Sequence, residues 1–227
     1  MKKAIVLLSG GVDSTTALYL AYAEGFRELH ALTFLYGQKH VRELLSARAV
    51  ARAVGVRAHE IIDLPVGRWK SSSLTDANRS IADGDLQRKT IPATYVPARN
   101  AVFLSIAASY ADAKEIEDIY IGVSQVDYSG YVDCREEFIR AMEKAINEGT
   151  LLGTVKERPV RVHAPFLHLT KADEIRLGVK LGVDYSLTWS CYRGDNLPCG
   201  TCDSCLLRAK AFREAGVEDK TRERNAY

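Results

Sequence analysis

Six consecutive residues, Ser9-Gly10-Gly11-Val12-Asp13-Ser14, combine two adjacent glycines, two hydroxyls and a carboxylate. Paired glycines let a turn fold tightly and point several N–H groups inward. Ser14 falls where a helix is expected to begin, beside uncapped N–H groups and the positive end of the helix dipole, a setting that suits phosphate. The lysine of a Walker A loop is missing, because G-x-x-x-x-G-K-[ST] is not met. Backbone amides and the hydroxyls of Ser9, Ser14 and Thr15 would therefore hold the anion. For Gly-Gly alone the plainer reading is a turn in which Ser and Asp cap a helix; the whole string, set between strand and helix, favours phosphate.

A second cluster lies near the C-terminus. Cys191, Cys199, Cys202 and Cys205 have the spacing C-x7-C-x2-C-x2-C, and Gly200 allows the tight turn of a metal knuckle. Four thiolates make a closed tetrahedral zinc site, structural rather than catalytic because no coordination position stays open. An iron–sulfur cluster is the rival, since it also takes four cysteines. Cys134, the fifth, stands alone and reads as a small packed residue.

Three further strings carry polar chemistry. Arg99 and Asn100 precede an apolar helix, where Arg99 would neutralise phosphate; its plain alternative is a surface salt bridge. The segment 122–135 is dense in carboxylates and aromatics. There Asp127 or Asp133 could accept from a guanine-like amino-imide edge, Tyr128 or Tyr131 could stack, and Arg135 closes the string. A helix-capping loop with solvated tyrosines accounts for that composition equally well. Lys171 occupies a first helical turn, where acidic residues are favoured, and that misfit hints at a nearby ligand phosphate. The five histidines, at 30, 40, 59, 163 and 168, form no pair at ligand spacing.

Elements must carry these groups to one place. Ala4–Leu8 reads as a buried parallel strand, and residues 15–23 as a helix with Leu18, Ala21 and Tyr22 on one face. Leu29–Leu35 is a second strand, 41–53 a second helix ended by Gly55, and Val56–Ile62 a third strand. The apolar helix Ala101–Ala113, a strand over Ile119–Val123, a helix over Glu136–Glu148, a short strand over Val160–Val162 and a Thr170-capped helix to Leu181 complete the pattern. This β-α-β-α-β order predicts a doubly wound, mostly parallel sheet with helices on both faces, a Rossmann-like α/β fold whose ligands bind at the strands' carboxyl ends. Residues 65–94 break the rhythm and read as a lid-like insertion. The expected division is a phosphate-binding domain over 1–185 and a zinc-binding segment over 186–227 packed on it.

Bulk properties exclude some classes. The 227 residues hold 31 basic and 29 acidic side chains, a net charge of +2, so no strong nucleic-acid field is expected. No apolar run approaches the ~20 residues of a membrane helix, and Ser9-Gly10-Gly11 cuts short any signal-like run. A cytoplasmic protein is expected, in which clustered cysteines are metal ligands rather than disulfides. A glutaminase domain would not fit beside a phosphate-binding domain of this length; if nitrogen is transferred, free ammonia or a separate protein must supply it.

The string Ser9–Ser14 resembles the pyrophosphate-binding loop of the N-type ATP pyrophosphatases, the PP-loop superfamily. Tyr36-Gly37-Gln38, Pro97-Ala98-Arg99-Asn100, Asp127 to Arg135 and Ser190-Cys191-Tyr192 with Cys199-Gly200-Thr201-Cys202-Asp203-Ser204-Cys205 sharpen it to the 7-cyano-7-deazaguanine (preQ0) synthase family. One departure is Val132, where proline is expected. The resemblance implies a ligase that takes 7-carboxy-7-deazaguanine, ammonia and ATP to the nitrile through an acyl adenylate and an amide, in queuosine and related deazapurine biosynthesis. It further implies ATP contacts over Leu8, Ser9, Gly10, Gly11, Val12, Asp13, Ser14, Thr15, Thr16, Ala17 and Leu18, and Mg²⁺ on the phosphates with help from Asp13. Asp13, Arg99 and Lys171 would serve catalysis, the four cysteines would hold one zinc per chain, and the chain would form a homodimer. The rivals are a PP-loop tRNA thiolase and a non-catalytic ATP- and zinc-binding interaction protein.

Overall fold

The computed structural model describes residues 1–39, 42–124, 131–194 and 196–221. Five parallel strands lie in the order β3-β2-β1-β4-β5, with β1 Lys3–Leu7, β2 Glu28–Leu35, β3 Ala58–Asp63, β4 Asp118–Tyr120 and β5 Arg161–His163. Apolar residues alternate between two covered faces. Ile5, Leu7, Leu32, Phe34 and Ile119 pack against α3 (Arg99–Lys114) and α4 (Glu136–Gly149). Ala4, Val6, Leu8, Leu29 and Ala31 pack against α1 (Val12–Ala23) and α2 (Arg42–Val54). The doubly wound α/β sheet expected from the sequence is therefore present.

The chain runs outward from β1 through β2 to β3, then crosses back to place β4 and β5 on the other side of β1. That reversal opens a crevice outside the carboxyl ends of β1 and β4, the place where open α/β sheets bind ligands. Gly122, just beyond β4, makes the approach possible. A Cβ there would lie 2.7 Å from the Asp13 carbonyl carbon and 2.8 Å from the Ser14 nitrogen.

Two elements differ from the sequence expectation. The fourth strand stops at Tyr120 rather than Val123, because Val123 N donates to Ile121 O at 3.2 Å and turns the chain toward the crevice. The C-terminal segment also carries a helix, α7 (Asp203–Ala215), beyond its cysteines. It packs with α6 (Lys171–Lys180) through Ile175, Ala211 and Phe212, and α5 (Leu151–Thr154) is a single turn between α4 and β5. Residues 65–94 contain one 3₁₀ turn, Pro65–Trp69, and are otherwise irregular. They are tied to the cysteine segment: Gly84 N donates to Thr201 O at 2.8 Å, Asp85 N donates to Asp203 Oδ1 at 2.8 Å, and Arg88 pairs with Asp203 at 2.6 Å.

Candidate active site

The loop after β1 is shaped by Gly10, whose φ of +84° lies in the region that favours glycine. A Cβ at Gly10 would fall 2.5 Å from Ala47 N and 2.6 Å from Glu43 O, so the loop is pressed onto α2. Ser9 and Ser14 brace the turn, with Ser9 N donating to Ser14 Oγ at 3.1 Å and the two hydroxyls 3.0 Å apart. Gly11 is the N-cap of α1 and offers no side chain. The first amides of α1 thus remain available to a phosphate at the positive end of the helix.

A cavity of about 300 Å³ opens against this loop. Of the stretch Leu8–Leu18, its wall includes Leu8, Ser9, Gly11, Val12, Asp13 and Ser14. Ala17 and Leu18 are fully buried in the core under α1, and the Thr16 hydroxyl bonds Val12 O and the Tyr185 hydroxyl, each at 2.9 Å.

Lys171 enters the same wall from the start of α6 and pairs with the Asp13 carboxylate; it also reaches Glu174 at 3.2 Å. Glu174 is 0% exposed. Burial would lower the Lys171 pKa, but the two carboxylates outweigh it and raise it, so the ammonium is permanent. The first-turn lysine that the sequence singled out therefore projects beside the glycine loop, as a fixed positive charge at its mouth.

Arg99, the first residue of α3, lines the cavity among aromatic rings. Its guanidinium donates to the Tyr36 hydroxyl at 3.2 Å and lies 5.4 Å from the Tyr36 ring and 5.9 Å from the Tyr131 ring. Tyr131 bonds Thr94 at 2.9 Å and stacks on Tyr95 with centroids 5.8 Å apart. Tyr192 adds another aromatic wall.

The segment 122–135 divides. Asp127 and Tyr128 lie outside the described residues. Asp133 is buried, and its Oδ2 accepts from Asn100 N at 2.9 Å while Asn100 Nδ2 donates to Asp133 O. Ala98, at φ +52°, offers no side chain to cap α3, so Asp133 caps that helix from a distant loop. Arg135 is exposed and donates to Val132 O at 3.1 Å. Neither Asp133 nor Arg135 is in the cavity wall, whereas Tyr131 and Cys134 are. Burial, with Asp133 adding to it, pushes the Cys134 thiol up to about 11, which leaves it a poor nucleophile at neutral pH.

Sequence reasoning passed over Glu43, in the first turn of α2. It lines the cavity, and burial raises its pKa to about 7 against the opposing pull of Arg99. On a helix rich in Arg and Ala, a lone glutamate carries no sequence signal that separates it from a surface residue.

The four cysteine sulfurs lie within 4.8 Å of one another. Cys191 Sγ accepts from Arg193 N at 3.4 Å, Gly194 N at 3.0 Å and Cys199 N at 3.2 Å, and Cys202 N donates to Cys199 Sγ at 3.4 Å. Donors of this kind stabilise thiolates, and four sulfurs at this spacing can hold a metal ion. The knuckle is joined to the glycine loop, because Trp189 N donates to Gly10 O at 2.9 Å and Trp189 Nε1 to Cys191 O at 2.9 Å.

Comparison with known proteins agrees with this geometry. The family model described as queuosine biosynthesis protein QueC matches residues 3–216. A 7-cyano-7-deazaguanine synthase from Clostridium kluyveri is 52% identical over 219 residues, covering 96% of each chain. One from Thermoplasma acidophilum is 50% identical over 220 residues, covering 96% of this chain and 90% of the relative. Among solved structures, NMN synthetase from Francisella tularensis shares the fold, with a TM-score of 0.51 at 15% identity, over 99% of this chain and 81% of that one. A nucleotide loop, an aromatic cavity and a four-cysteine knuckle joined in one chain, with relatives of this identity and coverage, place it in the QueC family of 7-cyano-7-deazaguanine synthases.

Proposed function

We propose that the chain converts 7-carboxy-7-deazaguanine, ammonia and ATP to 7-cyano-7-deazaguanine, a step of queuosine biosynthesis, and is an ATP-dependent ligase. The single observation that carries this reading is one cavity that joins the glycine loop and Lys171 to an aromatic wall around Arg99, in a chain half identical to synthases over nearly its whole length.

In the first half-reaction the substrate carboxylate attacks the α-phosphate, and pyrophosphate leaves. Ammonia then adds to the acyl adenylate, a proton is lost and AMP departs, giving the amide. The amide oxygen attacks a second ATP, pyrophosphate leaves again, and loss of AMP and of both amide protons yields the nitrile. The leaving groups are good at every step, so the protein supplies alignment and charge stabilisation. The α1 amides at Val12, Asp13 and Ser14 would take the departing pyrophosphate, with Lys171 as its fixed countercharge. Arg99 would sit over the reacting carboxyl, held flat by Tyr36 and Tyr131. Asp13 would hold the Mg²⁺ that arrives with ATP, which would supply charge neutralisation to the phosphates.

Zinc is our reading of the cysteine site, supported by the closed all-thiolate donor set. We read residues 186–227 as a zinc-binding segment packed on the ATP domain of 1–185. Its role would be to hold Trp189 against Gly10 and residues 81–88 across the knuckle. A homodimer follows from the resemblance alone and is checked by light scattering. The high thiol pKa of Cys134 disfavours the thiolase reading, which needs a reactive cysteine.

The decisive assay is pyrophosphate release from Mg-ATP with ammonium, with and without 7-carboxy-7-deazaguanine, followed by mass spectrometry. Release that depends on the deazapurine, with a nitrile product, is expected. Release independent of it, or none, would overturn the synthase reading.

A further inference from the structure

Three carboxylates among the described residues line the cavity: Asp13, Glu43 and Asp203. Asp13 is held by Lys171. Asp203 accepts from Asp85 N at 2.8 Å and pairs with Arg88 at 2.6 Å. Glu43 alone has no hydrogen-bond or salt-bridge partner among the described residues. Two amide side chains share the wall: Gln38 Oε1 accepts from Tyr36 N at 2.7 Å while its Nε2 donates to Phe34 O at 3.1 Å, and Asn100 Nδ2 donates to Asp133 O at 2.9 Å. Asp133, which the sequence offered as a base-reading carboxylate, is spent on the start of α3.

The position of Glu43 is fixed from behind. Its carbonyl oxygen would stand 2.6 Å from a Cβ at Gly10, so the first turn of α2 rests directly on the glycine loop. The same wall holds the Arg99 guanidinium, whose charge acts on Glu43, and the Tyr36 ring that Arg99 contacts. One cavity thus offers an unpaired carboxylate, aromatic faces and a guanidinium. A 7-carboxylated deazaguanine has the complementary order: adjacent N1–H and 2-amino donors on one edge, a flat ring, and an anionic group on the far side. A carboxylate is an acceptor at both oxygens and can take two such donors side by side.

We propose that Glu43 is the specificity-determining residue that accepts the N1–H and 2-amino donors of the deazaguanine ring. This rests on the synthase reading above. It orients the pyrimidine ring of the base toward α2 and its carboxyl group toward Arg99 and the α-phosphate. Bases without the 2-amino group leave one oxygen of this carboxylate unpaired once the ring has covered it, and sites built on such a pairing reject them strongly.

The test measures binding by calorimetry of 7-carboxy-7-deazaguanine and of its 2-deamino analogue, 7-carboxy-7-deazahypoxanthine, to the full chain and to Glu43→Gln. The wild-type chain is expected to prefer the guanine form by about 10- to 100-fold, the range of a good bidentate base contact. In Glu43→Gln, confirmed folded by thermal melting, the preference should fall to within about threefold. A wild-type chain that binds both bases equally would overturn the proposal whatever the variant does. So would a variant that keeps the full preference while its KM for ammonium rises, since Glu43 would then serve ammonia rather than the base. If the wild-type chain binds neither base and releases no pyrophosphate with them, the synthase reading itself fails; if it turns over the guanine form without discrimination, only the role of Glu43 fails.

Discussion

The Lys171 ammonium meets Asp13 at the glycine loop and Glu174 in the interior, so one charge is shared between the proposed site and the core. Removing one partner of such a group leaves the other charge buried and uncompensated, which costs about 3 kcal/mol or more. Lys171→Ala should therefore lower stability in urea by roughly that amount, and kcat by about 100-fold or more. Lys171→Arg should restore most of the stability and less of the rate, which separates the two roles. At the other end of the strands, Asp118 at the start of β4 shows a purely structural arrangement. Burial alone would raise its carboxyl, but hydrogen bonds from His163 at 2.7 Å and Arg161 at 2.8 Å outweigh that and hold it at about 2. A carboxyl held below its unfolded value of 3.8 stabilises the fold above that pH, and the contribution is lost as pH falls through the folded value. Between about pH 4 and 2 the wild-type chain should lose roughly 2 kcal/mol from this group, read by urea melts. Asp118→Asn should be less stable at neutral pH and flatter over that window.

Elements meet at the site through contacts that glycine alone permits. At Gly122 the end of β4 lies against the start of α1, with no room for a methyl group between it and the Asp13 and Ser14 backbone. Gly122→Ala has an ordinary backbone conformation to adopt, so its effect comes from displacement of the loop. Overpacking of this kind costs about 1–3 kcal/mol, and ATP affinity measured by calorimetry should fall by about tenfold or more. An unchanged affinity would show that the α1 amides do not hold the nucleotide. The start of α3 depends on a different device, since Ala98 cannot cap the helix and Asp133 does so across the sequence. That contact places Arg99 and makes the loop after β4 part of the site's frame rather than of its surface.

At the scale of the whole molecule, the cysteine knuckle connects three otherwise separate parts. It carries Trp189 against Gly10, holds residues 84–88 through Thr201 and Asp203, and leads into α7, which covers α6. Arg208 on α7 completes the connection by pairing with Asp219 and donating to Thr188 at 2.9 Å and Ser190 at 3.1 Å. Purified under reducing conditions, the chain should carry about one zinc by elemental analysis and no iron–sulfur absorption band. Chelation should lower Tm by roughly 10 °C, the equivalent of a few kcal/mol at this size, and expose the segment 79–89 to protease. Chelation that leaves both the melt and the cleavage pattern unchanged would remove the metal from any structural role.

Much of this was legible in the sequence because the signals are local. The glycine loop, the buried runs of β1 and β2 and the helical spacing in α2 and α4 depend only on neighbours within a few residues. The cysteine spacing is likewise local, and one turn of chain brings the thiols together. The Leu206, Leu207, Ala211 and Phe212 pattern of α7 is a local signal too, overlapping the cysteine cluster. Other features belong to the tertiary structure alone. Asp133 and Glu43 are both acidic residues beside helix starts, and nothing in their neighbours says that one caps α3 while the other faces the cavity. The sequence determined that this chain would build a parallel sheet, a phosphate loop and a thiolate knuckle. Only the fold decided which charges meet, because a side chain's role is set by partners tens of residues away that no local pattern records.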